Sequence, residues 1–137
     1  MIDKRSSPII PVAAGILIRN DRVLICQRHR SDPYGLQWEF PGGKVLKDEG
    51  FPQALARELF EELAIHADVG PEVFRLQHRY PDRFVEVAFF RVDSFSGEPR
   101  NQVFEEVAWV LRCELPLYTF LQADLELVER IAAGEII

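Results

Sequence analysis

The first part of the chain alternates between apolar runs and turn-forming residues. Val and Ile are frequent from Ile9 to Arg19, and a second apolar run extends from Val23 to Cys26. Between these runs, Asn20-Asp21 is a turn signal, because both residue types tolerate the backbone conformations of tight hairpins. The pattern therefore predicts a β-hairpin that begins near Ile9.

Turn residues and short apolar runs divide the rest of the chain. Ser, Asp, Pro and Gly between residues 29 and 35 predict a loop. A helix is expected from near Gly50 to about Leu63. Pro52 is compatible with it, because proline is tolerated in a first helical turn. The remaining predictions are strands over 38–41 (ending at Gly42-Gly43), 73–78, 84–92 and 107–111, a turn at Pro81-Asp82, a helix over 121–133 that stops at Gly134, and longer connections at 94–104 and 112–120.

This order of strands and two helices favours a layered α/β domain with a mixed sheet. The length of 137 residues and a hydrophobic fraction of 47% indicate a single domain over 1–137 with one sizeable core. The net charge of −6 argues against duplex nucleic acid as a partner. Neither a signal peptide nor a membrane span is expected, which favours a cytoplasmic protein without membrane partners. Cys26 and Cys113 are expected to be reduced thiols.

The predicted helix over 50–63 carries an apolar stripe and an acidic arc. At about 100° per residue, the apolar side chains share one arc and the glutamates an adjacent one at the rim of a groove. The stripe consists of Leu55, Ala56, Leu59, Phe60 and Leu63, and the acidic arc of Glu58, Glu61 and Glu62.

Spacings of three and four residues place the three carboxylates about 5–6 Å apart at Cβ, where like charges repel. Glu61 and Glu62 also lie at the helix end, where the helix dipole disfavours anions. A magnesium ion would reverse these repulsions, because it prefers carboxylate oxygens. A solvated acidic face is the alternative interpretation of this segment taken alone.

The surrounding residues resemble the signature of the Nudix hydrolase family. Gly43, Glu49, Arg57-Glu58-Leu59, Glu61-Glu62 and Ile65 stand at the spacing of the Nudix box. Six matches at fixed spacing would arise by chance at roughly one in 10⁷ starting positions. Ala64 departs from the pattern, because the family has glycine there, and this is expected to alter how the helix ends.

The resemblance implies a Nudix-type α/β/α sandwich with a central mixed sheet and two main helices. It also implies a metal site formed by Glu58, Glu61, Glu62 and the carbonyl of Gly42. Arg57 would orient a glutamate, and Gly43 and Glu49 would support the site. The general base would be Glu58, or a glutamate of a distant loop, Glu105 or Glu106. Mg²⁺ is the expected cofactor, with Mn²⁺ a substitute.

Further segments resemble the MutT-like branch of the family, namely WEFPGGK at 38–44, YPDR at 80–83, GEP at 97–99 and ADLELVERI at 123–131. The implied substrate-binding residues are Arg28, Glu39, Phe40, Pro41, Gly42, Tyr80, Arg83 and Asp124. Asp124 would contact the base edge, although a helix-start residue that stabilises the first turn is an equal alternative. Core packing is likewise an equal alternative for Phe40.

The function that the resemblance implies is hydrolysis of a nucleoside triphosphate to monophosphate and pyrophosphate, with 8-oxo-dGTP-like purine nucleotides as the leading substrate. Hydrolysis of CTP-type pyrimidine triphosphates and removal of pyrophosphate from the 5′ end of RNA are the alternatives within the family. A nucleotide sensor without turnover is an alternative of another class, but sensors can lose the glutamates that this chain keeps. Both a monomer and a homodimer are compatible with the sequence.

Overall fold

The structure is a computed structural model that describes residues 8–137, so residues 1–7 of the predicted single domain lie outside it. Each predicted strand or helix has a counterpart, and the described residues also form short elements that the sequence did not predict. The strands are β1 Ile9–Arg19, β2 Arg22–Gln27, β3 Trp38–Glu39, β4 Gly42–Lys44, β5 His66–Asp68, β6 Glu72–Tyr80, β7 Arg83–Val92, β8 Ser94–Ser96 and β9 Glu106–Leu111. The helices are α1 Phe51–Leu63 and α2 Leu125–Ala132, with 3₁₀ helices at Arg112–Leu117 and Gln122–Asp124.

Strand β1 is the centre of a mixed sheet. It lies parallel to β7 along most of its length and antiparallel to β2 and β4. Strand β9 extends the sheet beside β2, and β6 lies beside β7. The predicted hairpin is confirmed, because Asn20 and Asp21 both adopt positive φ, 53° and 62°, between β1 and β2.

Two apolar cores lie on opposite faces of this sheet. Helix α2 packs on one face through Leu127, Val128 and Ile131, and α1 packs on the other through Leu55, Leu59 and Leu63. The layers are therefore helix, sheet and helix, and the predicted α/β/α sandwich with a mixed sheet and two main helices is confirmed. Neither helix in residues 8–137 has the length and apolar character needed to cross a bilayer.

The buried face of α1 is rotated from the one predicted. Phe60 is 53% exposed, whereas Ala54 is fully buried, so the prediction of Phe60 in the apolar stripe is wrong. The buried arc runs from Ala54 to Leu63, because the small Ala54 side chain lets the helix approach the sheet at that position. At about 100° per residue, Glu58 and Glu62 consequently lie about 40° and 80° inside the Ala54 edge of this arc.

Several predicted boundaries are also wrong. Residues 38–41 do not form one strand, because Phe40 and Pro41 separate β3 from β4, and Gly42-Gly43 belongs to β4. The predicted connections 94–104 and 112–120 contain β8 and a 3₁₀ helix, and β5 was missed because it is short and pairs only with β8. The last α-helix begins at Leu125, since residues 122–124 form a tighter 3₁₀ turn.

Candidate active site

A cavity of about 300 Å³ opens at one end of the sheet, beside β4. Its apolar floor comes from β1 and β7, which lie side by side and present alternate residues to the same face. The floor residues are Ile10, Val12, Val85, Val87 and Phe89. Charged side chains also line the cavity, so it can hold a ligand that is apolar in one part and charged in another.

Glu62 lines one end of this cavity. Its Oε1 accepts a hydrogen bond of 3.1 Å from the amide of Gly42. Burial, followed by repulsion from Glu39 and Glu58, raises the pKa of Glu62 from an ordinary 4.5 to about 9. The site therefore holds a carboxyl group that is protonated at neutral pH unless a cation compensates its charge.

Arg57 organises the other acidic side chains of α1. Its guanidinium donates to Glu49 at 2.8 and 3.1 Å, to Glu58 at 2.9 Å and to Glu61 at 3.3 Å. It also donates to the carbonyl of Lys44 at 3.0 Å and so joins the helix to β4. The hydrogen bonds from Arg57 lower the pKa of Glu49, which also accepts from the amide of Leu46.

Glu58 packs directly against Gly43. A Cβ atom at Gly43 would lie 2.4 Å from Cδ of Glu58, so no larger residue fits without displacing the carboxylate. Burial raises the pKa of Glu58, although the neighbouring Arg57 opposes the shift. Gly42 is equally constrained, because a Cβ there would lie 2.0 Å from the carbonyl oxygen of Ala13. The two glycines therefore allow β4 to approach both β1 and the acidic face of α1.

These groups have the chemistry of a divalent-cation site, since they supply hard oxygen donors with uncompensated negative charge. In the described part of the chain, however, no three acidic, histidine or cysteine side chains converge closely enough to enclose an ion as they stand. Arg57 holds two of the candidate ligands, and Glu61 is 55% exposed. The donor set fits a magnesium ion in character, with Glu62 the ligand that most needs a positive partner.

Two further acidic side chains, Glu39 and Asp124, line the same cavity. Glu39 forms an ion pair of 3.0 Å with Arg28, and burial raises the pKa of Glu39. Asp124 is only 6% exposed, and burial followed by repulsion from Glu39 raises its pKa well above the ordinary value. Asp124 stands at the start of α2, as the alternative interpretation placed it, but its side chain makes no capping hydrogen bond to the first turn.

Aromatic side chains form part of the wall of the cavity. Tyr80 and Phe40 line the cavity, and the Phe40 ring packs edge-on against Phe89. The guanidinium carbon of Arg83 lies 5.5 Å from the Tyr80 ring centre and 5.9 Å from that of Tyr34. Within residues 8–137, Nε of Arg83 is buried without a hydrogen-bond partner. A polar donor facing a cavity in this way is available to a ligand.

Some predicted site residues lie outside the cavity. Pro41 is buried, and its carbonyl accepts from Gly15 at 2.8 Å, so it shapes the entry to β4 without lining the cavity. Glu105 lies near the mouth, where it is paired with Arg30, and the hydrogen bonds from Arg30 lower the pKa of Glu105 to about 2. Glu106 is exposed at the start of β9.

Sequence reasoning missed several residues that line the cavity, namely Asp32, Lys44, Val103, Phe104, Leu121 and Ala123. Lys44 lies inside the WEFPGGK segment and could have been found there as a phosphate-binding cation. Ala123 lies in the 3₁₀ helix Gln122–Asp124, and the others lie in loops, where no periodicity marks which side chains turn inward. Only the folded arrangement of three separate loops brings them to one mouth.

Residues 10–131 of the chain match the NUDIX domain family. This protein belongs to the Nudix family. It is 38% identical over 126 residues to the CTP pyrophosphohydrolase of Escherichia coli K12, covering 91% of this chain and 93% of that protein. It is also 38% identical over 126 residues to the 8-oxo-dGTP diphosphatase of Haemophilus influenzae, covering 90% and 91% of the two chains. The family and these relatives show a MutT-like Nudix hydrolase.

Solved structures agree with this assignment. The solution structure of the E. coli ORF135 protein superposes with a TM-score of 0.84 at 34% identity, covering 96% of this chain and 94% of that one. A MutT Nudix hydrolase from Burkholderia pseudomallei gives a TM-score of 0.81 at 25% identity, covering 90% and 98%. Nudix hydrolases generally use a divalent metal.

Proposed function

We propose that this Nudix hydrolase converts a nucleoside triphosphate to the monophosphate and pyrophosphate with Mg²⁺, and that oxidised purine nucleotides such as 8-oxo-dGTP are its leading substrates. One observation supports this most directly. The same cavity is lined by Glu62, which neighbours the other acidic residues of α1, and by the buried Asp124 and the ring of Tyr80. A base and its phosphates would therefore face different chemistry in one continuous space.

Glu58, Glu61, Glu62 and the carbonyl of Gly42 would hold the metal, with Mn²⁺ as a substitute. A bound divalent ion would withdraw charge from phosphate oxygens and lower the pKa of water. Glu58 is the best-suited base, because its raised pKa makes it a stronger proton acceptor than an ordinary glutamate. Glu105, with a pKa of about 2 in its pair with Arg30, would act only after that pair separates.

Other residues in and beside the cavity would orient the acidic side chains and bind the substrate. Arg57 fixes Glu49, Glu58 and Glu61 through charge-assisted hydrogen bonds, which are shorter and stronger than neutral ones. Lys44, Arg28 and Arg83 supply positive charge along the cavity for phosphate oxygens. The floor of β1 and β7 and the rings of Phe40 and Tyr80 would exclude water from the nucleobase.

The protonation of Asp124 bears on the choice of base. A neutral carboxyl offers one donor beside one acceptor, as an amide does, whereas a carboxylate only accepts. The raised pKa of Asp124 favours the neutral form. Guanine offers O6 beside N1–H, and cytosine offers N3 beside N4–H₂, so the same carboxyl complements both edges.

Hydrolysis of CTP-type nucleotides is therefore the second candidate. It is favoured by this donor-acceptor pattern and by the equal identity of the chain to a CTP pyrophosphohydrolase and an 8-oxo-dGTP diphosphatase. The acidic net charge of −6 makes RNA 5′ ends a weaker substrate. A sensor without turnover would have no need of the complete set of Glu58, Glu61 and Glu62.

The test is a panel of oxidised and ordinary nucleoside triphosphates, assayed with Mg²⁺, with the phosphate products resolved. Monophosphate plus pyrophosphate from 8-oxo-dGTP at the highest kcat/KM is the expected result. Highest kcat/KM on CTP would support the second candidate, and diphosphate plus phosphate would contradict the proposed bond. Glu62→Gln is expected to lose most turnover while its circular dichroism spectrum is unchanged. Binding without turnover by the unaltered protein would instead indicate a sensor.

A further inference from the structure

Arg30 holds Glu105 through three hydrogen bonds at the mouth of the cavity. Nε of Arg30 donates to Oε1 at 3.1 Å, and Nη2 donates to Oε2 at 2.9 Å. The backbone amide of Arg30 also donates to Oε1 at 3.2 Å. Nε2 of His29 lies 3.9 Å from the same oxygen. Both oxygens of the Glu105 carboxylate therefore accept hydrogen bonds from Arg30, which fixes the orientation of the carboxylate.

Neither side chain of the pair lines the cavity, but both are close in the chain to residues that do. Arg28 and Asp32, on either side of Arg30 in the same loop, line the cavity, as does Phe104 immediately before Glu105. The Arg30 side chain is 70% exposed and that of Glu105 is 23% exposed. Water screens the charges of an ion pair this open to solvent, so a ligand with several negative charges can compete with Glu105 for Arg30.

The loop itself does not depend on this ion pair. Nε of Arg28 donates to the carbonyl of Pro33 at 2.8 Å, and the amide of Leu36 donates to the carbonyl of Arg28 at 3.0 Å. The amide of Asp32 donates to the carbonyl of His29 at 2.9 Å. These three hydrogen bonds do not involve Glu105 and stay in place when the Arg30 side chain changes its partner, whereas the bond from the Arg30 amide is lost when the carboxylate is released.

We infer that Arg30 is a positioning residue that exchanges Glu105 for the polyphosphate of the substrate, so that nucleotide binding releases the Glu105 carboxylate. A guanidinium binds carboxylate and phosphate oxygens with the same two-pronged geometry, and the larger charge of a triphosphate favours it over one carboxylate. The released Glu105 carboxylate can then act as a base in the hydrolytic site. The inference rests on the proposed function, because it requires a triphosphate at this mouth.

Binding of inorganic tripolyphosphate in EDTA tests the exchange without metal or turnover. Arg30→Ala is expected to weaken binding, because the guanidinium is lost. Glu105→Gln is expected to tighten binding by up to about fivefold, because tripolyphosphate no longer competes with a carboxylate for Arg30. In the Arg30→Ala background, Glu105→Gln should lose this effect.

The chain offers a matched control in Arg19 and Glu98. This pair is also joined by two hydrogen bonds, of 3.1 and 3.0 Å, and lines a different pocket, whereas Arg30 and Glu105 adjoin residues that line the main cavity. Glu98→Gln removes the same charge, so any change it causes measures the general electrostatic effect. Equal affinities for Glu105→Gln and Glu98→Gln would overturn the inference, as would an unchanged effect of Glu105→Gln when Arg30 is absent.

A second measurement needs no variant. In the unaltered protein, saturating tripolyphosphate should shift the NMR resonance of the Arg30 side-chain Nε–H, because its acceptor changes from carboxylate to phosphate. An unshifted resonance at saturation would contradict the exchange. These results are separable from the proposed function, which fails if the protein with Mg²⁺ does not hydrolyse nucleoside triphosphates, whatever the outcome of the metal-free binding experiments.

Discussion

Replacing Glu62 by glutamine is expected to stabilise the metal-free protein while it removes activity. The folded protein raises the pKa of Glu62 from 4.5 to about 9, so folding favours the protonated form. Below pH 4.5 the side chain is neutral in both the folded and unfolded states, and no free energy is lost. As the pH rises from 4.5 towards 9, the unfolded state ionises more readily and the free energy of unfolding falls.

Each pH unit in this window corresponds to about 1.4 kcal/mol, so at pH 7 the loss is about 3 kcal/mol. Glutamine is never ionised, and its side-chain oxygen can still accept the hydrogen bond from the amide of Gly42. In EDTA, Glu62→Gln should therefore be about 3 kcal/mol more stable than the unaltered protein at pH 7 and nearly equal to it at pH 4.5.

Urea denaturation at several pH values in EDTA measures this difference directly. Glu61→Gln is the matched control, because Glu61 is 55% exposed on the same helix and should change stability by less than about 0.5 kcal/mol. Saturating Mg²⁺ should reduce the advantage of Glu62→Gln, because the ion stabilises the form that retains the carboxylate. A variant that is less stable than the parent at pH 7 in EDTA, or a difference independent of pH, would refute the reasoning.

Three further substitutions test individual contacts. Gly43→Ala should lower kcat at least tenfold, because its Cβ would lie 2.4 Å from Cδ of Glu58. Gly50→Ala is the control and should keep its activity in the same assay, because the nearest atom to its Cβ would be 3.9 Å away. Ala64→Gly should raise the free energy of unfolding in urea by about 1 kcal/mol, since Ala64 ends α1 at φ 57°, and a lower free energy would contradict the strain. Asp124→Asn should keep the order of kcat/KM values across the nucleotide panel at pH 7, whereas Asp124→Ala should change that order. Equal effects of both variants would show that a hydrogen-bond donor and acceptor at this position do not select the base.

Local sequence signals determined most of the elements of this protein. The hairpin at Asn20-Asp21 and helix α1 over residues 51–63 follow from turn preferences and from the tolerance of Pro52 in a first helical turn. The spacing of the Nudix box identified the family, because that spacing is fixed by the helix period and by the approach of Gly43 to Glu58. These are properties of neighbours in the chain, which a sequence records directly.

Tertiary packing decided which side of each element is buried and which loops meet. A helical wheel gives the angles between side chains of α1 but not the direction in which the sheet lies, so Phe60 was placed inside and Glu62 at the rim. The pKa of Glu62 also depends on Glu39, which lies far from it in the chain. The pairing of Arg30 with Glu105 joins residues 75 positions apart, and no local pattern specifies a contact that forms only when two loops close over the same cavity.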